Sequence, residues 1–249
     1  MKSIAIACQK GGTGKTTTAL CLGAGLHRAE FRVLHVDIDS QGSLSLCLNA
    51  AQGLNIHDIL IDRKPVINAL QITPQGALIA ADGRLSARGL LTRKGDASRL
   101  KMALEPLQDM FDVCLVDCPP ALSPLSMNAL TAADAAIIPM RPDRLSLNAL
   151  HELHSTIQAT RPDLEIYGII VTMYDGRTTA HRLMFDEIIE QAAAMGMKVY
   201  SPPVRRSIAF EEIQITTGRT IFDNPRSNAA QDYQSIVNQL IKQLKGKGE

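Results

Sequence analysis

A glycine-rich segment near the amino terminus carries the residue types that bind phosphate. It reads Gln9-Lys10-Gly11-Gly12-Thr13-Gly14-Lys15-Thr16-Thr17. Its glycines allow backbone N–H groups to turn inward around phosphate oxygens, and a helix that starts there adds its positive N-terminal end. In such a loop Lys15 contacts the β- and γ-phosphates, and the Thr16 hydroxyl ligates Mg²⁺. The segment therefore predicts a nucleoside triphosphate site.

The loop differs at one position from the usual spacing of phosphate loops. That spacing places a glycine six residues before the lysine, and Gln9 stands there instead. A second lysine, Lys10, precedes the paired glycines and cannot easily duplicate Lys15 in the same site. A glycine-rich turn without a ligand is the alternative. The order of strand, loop, Lys-Thr pair and helix favours the phosphate site.

Three aspartates follow apolar, strand-like runs and could hold a metal ion or orient water. Asp37 and Asp39 follow the run Arg32–Val36, and Asp117 follows Val113–Val116. Ligands of parallel sheets collect at the carboxyl ends of the strands, and alternation places Asp37 and Asp39 on the same side. Two close carboxylates beside phosphate favour a bound cation such as Mg²⁺. The alternatives are that the first two cap the next helix and that Asp117 caps a turn.

Strand-like runs alternate with helical patterns along the whole chain. The predicted strands are Ser3–Cys8, Arg32–Val36, Ala77–Ala81, Val113–Val116, Ala135–Pro139 and Ile166–Thr172, and the predicted helices are Thr16–Arg28, Ala97–Leu107, Leu145–Ala159, Arg182–Ala194 and Ala229–Leu244. The strand runs are almost wholly apolar, as in strands that are buried on both faces. The pattern predicts an α/β fold, a doubly wound, mainly parallel sheet with helices on both faces.

Composition and length limit the class of protein. No linker or repeat divides the 249 residues, so we expect one domain over 1–249, without a helix-turn-helix domain before the phosphate loop. No run reaches the ~18 apolar residues of a membrane span, and we expect no secretory signal. Five cysteines without metal-ligand spacing suit a reducing cytoplasm. A formal net charge of +1 argues against permanent tight binding to nucleic acid.

These motifs, in this order, resemble those of the ParA/MinD family of deviant Walker A ATPases. The loop with its second lysine has the form typical of that family. Val36–Gly42 resembles the family's first switch, with Ser40 where proline is usual, and Leu115–Pro120 resembles its Walker B motif and second switch. Val171–Thr178 and Val204–Ile221 resemble segments of Soj-like chromosomal and plasmid ParA proteins. The resemblance covers almost the whole chain and implies a P-loop ATPase fold.

The resemblance also implies a role for each candidate site residue. ATP or ADP would be bound by Lys10, Gly11, Gly12, Thr13, Gly14, Lys15, Thr16 and Thr17, with base contacts at Met173 and Pro203, and Mg²⁺ by Thr16, Asp37 and Asp117. Asp39 would orient the attacking water. Lys10 would cross a dimer interface to the phosphates in the partner subunit, so that ATP joins two subunits. Gly11 would lie under that partner, where a larger side chain should clash.

The function implied by the resemblance is slow, Mg²⁺-dependent ATP hydrolysis coupled to DNA partition. A homodimer that forms on ATP binding would bind DNA nonspecifically, and a ParB-like centromere-binding protein would stimulate hydrolysis and release it, in the cytoplasm and on the nucleoid. Candidate DNA contacts are Arg205, Arg206 and Arg219. A second basic cluster comprises Arg84, Arg88, Arg93, Lys94, Arg99 and Lys101. For each cluster the alternative is a solvated helix face.

Two other functions belong to the same family resemblance. One is a MinD-like spatial regulator that lies on membranes through a basic amphipathic final helix. The apolar face of that helix would comprise Ile236, Val237, Leu240, Ile241 and Leu244, beside Lys242, Lys245 and Lys247. This face lacks Phe and Trp, so a core-packed helix is favoured and a membrane partner is not expected. The other is a ParA-like protein that positions a different cargo.

Overall fold

A seven-stranded sheet forms the centre of the computed structural model, which describes residues 1–86, 95–215 and 218–246. The strands are β1 (Lys2–Ile6), β2 (Val33–Asp37), β3 (Leu70–Thr73), β4 (Gly76–Ile79), β5 (Val113–Asp117), β6 (Ala135–Met140) and β7 (Glu165–Val171). Their order across the sheet is β3-β4-β2-β5-β1-β6-β7. Every neighbouring pair is parallel except β3 and β4. The carboxyl ends of the parallel strands therefore share one edge, where sheets of this class bind ligands.

Helices cover both faces of this sheet. In the described ranges they are α1 (Lys15–Arg28), α2 (Ser43–Cys47), α3 (Ile56–Leu60), α4 (Arg99–Leu104), α5 (Pro124–Ala132), α6 (Arg144–Thr160), α7 (Thr179–Ala194), α8 (Ala209–Ile215) and α9 (Asn228–Lys245). Successive residues of β1 point into different apolar clusters: Ile4 and Ile6 join the cluster that contains α1 and α9, and Ala5 joins the other. The predicted doubly wound α/β fold is confirmed.

The six predicted strands are present, and the differences concern short or irregular elements. Strand β3 was not predicted because its four residues are half-buried or exposed, without a clear apolar period. The predicted helix Ala97–Leu107 is one turn and a half of α-helix between 3₁₀ turns, and Pro106, which has no N–H to donate, lies in the second of these turns. Helices α2, α3, α5 and α8 are too short to show helical periodicity in the sequence.

The final helix packs into the core, as the favoured interpretation of its sequence predicts. Ile236, Val237 and Leu240 are fully buried. A Cβ placed on Gly25 of α1 would lie 2.5 Å from a methyl group of Val237, so the two helices touch closely. Across the described residues, no helix is both long enough and apolar enough to span a bilayer.

Helix α1 also approaches β2 closely, at a position that only glycine allows. A Cβ on Gly23 would lie 2.0 Å from Cε1 of His35. The His35 ring is fully buried, with Nε2 3.3 Å from the Gln75 carbonyl oxygen. Burial lowers the pKa of His35 to about 4, so the ring is neutral at pH 7. The helix that follows the phosphate loop is thus seated directly on the sheet.

We expect Gly23→Ala to lower the free energy of unfolding by about 1–3 kcal/mol through overpacking, despite the better helix propensity of alanine. Urea denaturation gives the value. His35→Ala makes room for the new methyl group, so the double variant should lose less stability than the two single losses added together. An unchanged urea midpoint for Gly23→Ala would contradict this packing.

Candidate nucleotide-binding site

The glycine-rich loop lies at the carboxyl end of β1 and leads directly into α1. Gly12 and Gly14 have φ values of 70° and 81°, in the left-handed region that side chains other than glycine rarely adopt. A cavity of about 380 Å³ opens over the loop. It is lined by Gly11, Gly12, Thr13, Gly14, Lys15, Thr16, Thr17, Asp39, Ser43, Leu46, Cys47, Pro120 and Met173. The loop therefore has the backbone form and the open space that a phosphate chain needs.

Lys15 supplies a buried cation at the floor of this cavity. Its Nζ donates to the carbonyl oxygen of Lys10, 3.0 Å away, across the loop. An ammonium group has three donors, so others can serve phosphate oxygens. The loop is held to the end of β7 by the Thr172 hydroxyl, which donates to the Thr13 carbonyl oxygen at 2.9 Å. These two hydrogen bonds hold Lys15 in place before any phosphate binds.

Thr16 and Asp117 meet beside the lysine, as expected for a magnesium site. The Thr16 hydroxyl donates to Oδ2 of Asp117 at 2.7 Å, whereas Oδ1 of Asp117 is buried with no hydrogen-bond partner. Burial, with the charge of Asp37 on the neighbouring strand, raises the pKa of Asp117 well above its usual range. An unpartnered buried carboxylate oxygen fits a divalent cation. When bound there, Mg²⁺ supplies charge that offsets both the carboxylate and the phosphates.

Asp37 anchors the chain that follows β2. Its Oδ2 accepts from the Ser45 backbone N–H at 2.8 Å and from the Ser45 hydroxyl at 2.7 Å. Its Oδ1 accepts from the Asp39 N–H at 3.1 Å. Burial raises the pKa of Asp37 above its usual range, and the Ser45 hydrogen bonds act against that shift. Asp37 thus holds the first turn of α2 through Ser45, although the N-cap residue of that helix is Gly42, and its contribution to the metal shell stays a prediction.

Asp39 lies apart from Asp37, on the cavity side. It is half-buried, lines the phosphate cavity, and its Oδ1 accepts from the Gln41 N–H at 3.0 Å. Strand β2 ends at Asp37, so strand alternation does not extend to Asp39 and the two carboxylates occupy different environments. A carboxylate at this place can accept a hydrogen bond from water beside a terminal phosphate. The position of Asp39 in the cavity fits the predicted water-orienting role, which stays a prediction.

Lys10 is bound at the opposite side of the loop. Its Nζ lies 2.7 Å from Oδ1 of Asp143 and 3.2 Å from the Ser146 hydroxyl, at the start of α6. Asp143 also caps α6 by accepting from the Ser146 N–H at 2.8 Å. A side chain on Gly11 would meet only Pro120, at 4.0 Å. Any clash at Gly11 therefore needs a second subunit, and the role of Lys10 across a dimer interface stays a prediction.

A second, larger cavity of about 530 Å³ adjoins the phosphate cavity and suits a nucleobase. It is lined by Gly14, Thr17, Arg141, Thr172, Met173, Asp175, Thr178, His181, Val204, Arg206, Ser207, Phe210, Glu211 and Tyr233. Met173, at a φ of 53°, borders both cavities. Pro203 is not in its lining, whereas its neighbour Val204 is. Phe210 and Tyr233 were not predicted to line this cavity, because an aromatic residue in a helical sequence pattern is typical of core packing.

The predicted DNA-binding arginines differ in their surroundings. Arg206 and Arg219 are exposed, whereas Arg205 forms a two-point ion pair with the buried Asp232. In the second basic cluster, Arg84 pairs with Asp58 and Asp82, Arg99 pairs with Asp96, and Lys101 is exposed. Four other predicted basic positions lie outside the described residues, namely Arg88, Arg93, Lys94 and Lys247, whereas Lys242 and Lys245 are exposed on α9.

Comparisons with known proteins agree with this geometry. A family model described as "AAA domain" matches residues 1–166. The sporulation initiation inhibitor protein Soj of Bacillus subtilis is 34% identical over 96% of this chain and 98% of its own length. The chromosome partitioning protein ParA of Caulobacter vibrioides is 33% identical over 97% of this chain and 94% of its own length.

A solved structure shows which ligands this fold holds. Cobyrinic acid a,c-diamide synthase from Mycobacterium smegmatis, with bound ADP and magnesium, is 32% identical. It superposes with a TM-score of 0.83 over 99% of this chain and 96% of that one. Together with the phosphate loop, the Thr16–Asp117 pair and the full-length similarity to Soj and ParA, this assigns the chain to the ParA/MinD family of deviant Walker A ATPases, with ATP and Mg²⁺ as its ligands.

Proposed function

We propose that this ATPase forms an ATP-bound homodimer, binds DNA without sequence preference and drives plasmid or chromosome partition on the nucleoid. Its similarity to proteins named for chromosome partitioning supports the class of process. A ParB-like centromere-binding protein would stimulate hydrolysis and return the dimer to free subunits. We expect slow hydrolysis without the ParB-like protein, because that protein is needed to complete the ATP-hydrolysis site.

The main support for the proposal is a chain of hydrogen bonds from the phosphate cavity to the segment that contains Gly218 and Arg219. Asp37 anchors helix α2 through Ser45, and the Cys47 carbonyl oxygen at the end of α2 accepts from the Gly218 N–H at 2.9 Å. The Gly218 carbonyl oxygen in turn accepts from Gln75 Nε2 at 2.8 Å. Arg219 follows directly. A shift of α2 when phosphates bind would therefore move an exposed arginine, which is what nucleotide-gated DNA binding requires.

Dimer formation is supported by the surface around the phosphate loop. Leu46, on α2, is 65% exposed, and Leu145, beside the residues that hold Lys10, is 68% exposed. Exposed large apolar side chains next to a charged loop suit a surface that a second subunit covers. On dimer formation Lys10 would exchange Asp143 and Ser146 for the phosphates bound in the partner. Loss of the γ-phosphate would weaken that contact and release the dimer.

Co-sedimentation separates the proposed DNA function from a membrane function. The ATP-loaded protein should pellet with nonspecific duplex DNA and stay in solution with anionic lipid vesicles. The burial of the apolar face of α9 supports that expectation. Pelleting with vesicles but not with DNA would favour a MinD-like regulator instead.

The DNA-contacting residues are proposed to include Arg206 and Arg219. We expect the double variant Arg206→Ala/Arg219→Ala, at saturating ATP, to bind duplex DNA about tenfold more weakly at low salt, with a salt slope smaller by about 2. Fluorescence anisotropy at several salt concentrations gives both values. Arg32→Ala removes an exposed arginine that is paired with Asp112 at the amino end of β2, and it serves as the control. Equal DNA binding by the double variant and this control would move the DNA surface elsewhere.

A further inference from the structure

Arg205 and Asp232 form an ion pair whose geometry is more specific than nonspecific DNA binding requires. The Arg205 backbone N–H and Nε donate to Oδ2 of Asp232 at 3.0 and 2.9 Å, and Nη2 donates to Oδ1 at 2.7 Å. The Asp232 side chain is 2% exposed and that of Arg205 is 44% exposed. Burying a carboxylate is costly unless it is paired, so the two residues depend on each other. The Arg205 guanidinium is thus held against α9, with part of its surface still exposed.

The pair holds a segment that forms one wall of the base cavity. Val204 donates its N–H to the Val171 carbonyl oxygen at 2.7 Å, and Arg206 donates to the Tyr174 carbonyl oxygen at 2.9 Å. This places the segment 204–207 alongside the chain that leaves β7. Val204, Arg206 and Ser207 line the cavity from this segment, and Arg205 is the residue that ties it to α9.

Tyr233, the residue after Asp232, connects α9 to α1, the helix that follows the phosphate loop. The Tyr233 hydroxyl lies 2.9 Å from the Thr18 hydroxyl of α1, and its ring meets Phe210 edge to face at 5.8 Å between centroids. Tyr233 and Phe210 both line the base cavity. Two successive residues of α9 therefore contact the two sides of the cavity, the loop helix and the 204–207 segment. The ion pair adds a side-chain link to the backbone hydrogen bonds that Val204 and Arg206 form with the end of β7 and the chain after it.

We propose that Asp232 and Arg205 are positioning residues that set the affinity of this ATPase for the nucleobase end of ATP. Arg205 then acts on the base through the wall of the cavity. The proposal rests on the placement of the base in the larger cavity. It needs no DNA and no partner protein, so a failure of the partition proposal leaves it testable.

The test compares ATP with tripolyphosphate, a probe that has the phosphate chain but no base. Asp232→Asn keeps the size of the side chain, and Arg205→Lys keeps the charge, but neither preserves the two-point pair. Asp163→Asn breaks another two-point pair, a more exposed one with Arg161 before β7 and away from the cavity lining, and is the control. Isothermal titration calorimetry with Mg²⁺ gives the affinities, and thermal unfolding verifies that each variant is folded.

We expect Asp232→Asn and Arg205→Lys to weaken ATP binding about tenfold, the loss expected from a broken charge-assisted hydrogen-bond pair. Tripolyphosphate affinity should be unchanged, the KM for ATP should rise, and kcat should stay constant. The control should leave all four values unchanged. Unchanged ATP affinity, or an equal loss for ATP and tripolyphosphate, would overturn the proposal.

A further variant tests the placement of the base separately. Ser207→Tyr adds bulk to the cavity wall while leaving the ion pair intact, so it should weaken ATP binding and spare tripolyphosphate. If Ser207→Tyr leaves ATP affinity unchanged, the base does not occupy this cavity and the positioning role falls with it. If only Ser207→Tyr has an effect, the base is placed correctly and the role of the Asp232–Arg205 pair is refuted.

Discussion

Lys15→Ala is expected to weaken ATP binding about 100-fold or more, because it removes the buried cation that faces the phosphates. Lys15 lines the phosphate cavity, and its Nζ donates a hydrogen bond to the Lys10 carbonyl oxygen. Among the residues that the structure describes, no lining residue of this cavity other than Lys15 carries a positive charge. Calorimetric titration with ATP and Mg²⁺ measures the effect.

Lys10→Ala is the matched control for the phosphate-loop lysine. Lys10 is held by Asp143 and Ser146 and is not part of the cavity lining, so a single subunit should bind ATP without it. Measured at protein concentrations that keep subunits apart, this variant should retain ATP affinity. It should lose the ATP-dependent dimer. Equal ATP affinities for Lys15→Ala and the wild type would contradict the assignment of the loop.

Asp39→Ala is expected to lower the rate of ATP hydrolysis about 100- to 1,000-fold while leaving ATP binding intact, as when a water-orienting group is lost. The carboxylate lies in the phosphate cavity but contributes no hydrogen bond to the loop itself. ATP should then persist in the site. Light scattering should show a stable particle of about twice the subunit mass in ATP and a single subunit in ADP.

Asp39→Asn separates the charge of Asp39 from its place in the loop. Asparagine can still accept the Gln41 N–H through its carbonyl oxygen, so the backbone turn is preserved. It should nevertheless be as slow as the alanine variant if the carboxylate acts on water. Normal turnover in both variants would show that another group orients the water.

The parts of the site that are contiguous in sequence could be predicted from the sequence. The phosphate loop, its helix and the aspartates at the ends of β2 and β5 are each fixed by local residue types. The backbone N–H groups, the lysine and the threonine of the loop are neighbours in sequence, so no long-range contact is needed to predict that they lie together. The apolar strands of the sheet are visible for the same reason, since burial on both faces requires unbroken apolar runs.

The parts that depend on long-range contacts could not be predicted. Lys10 meets Asp143 across 133 positions, and Arg205 meets Asp232 across 27, so neither pair has a local signature. The base cavity takes its walls from the phosphate loop, from the chain after β7, from the 204–207 segment and from residues of α1, α7, α8 and α9. Asp37 illustrates the same limit: its spacing indicated a metal-site carboxylate, and only the fold shows that it also anchors Ser45.

We propose that ATP switches this protein into a DNA-binding form. The most direct measurement is the affinity of the wild-type protein for a labelled duplex of arbitrary sequence, with ATP, with ADP and without nucleotide, over a range of salt concentrations. We expect tight binding with ATP alone, weakened steeply by salt as contacts to phosphates require. Equal affinity in ATP and ADP, or no binding in either, would contradict it.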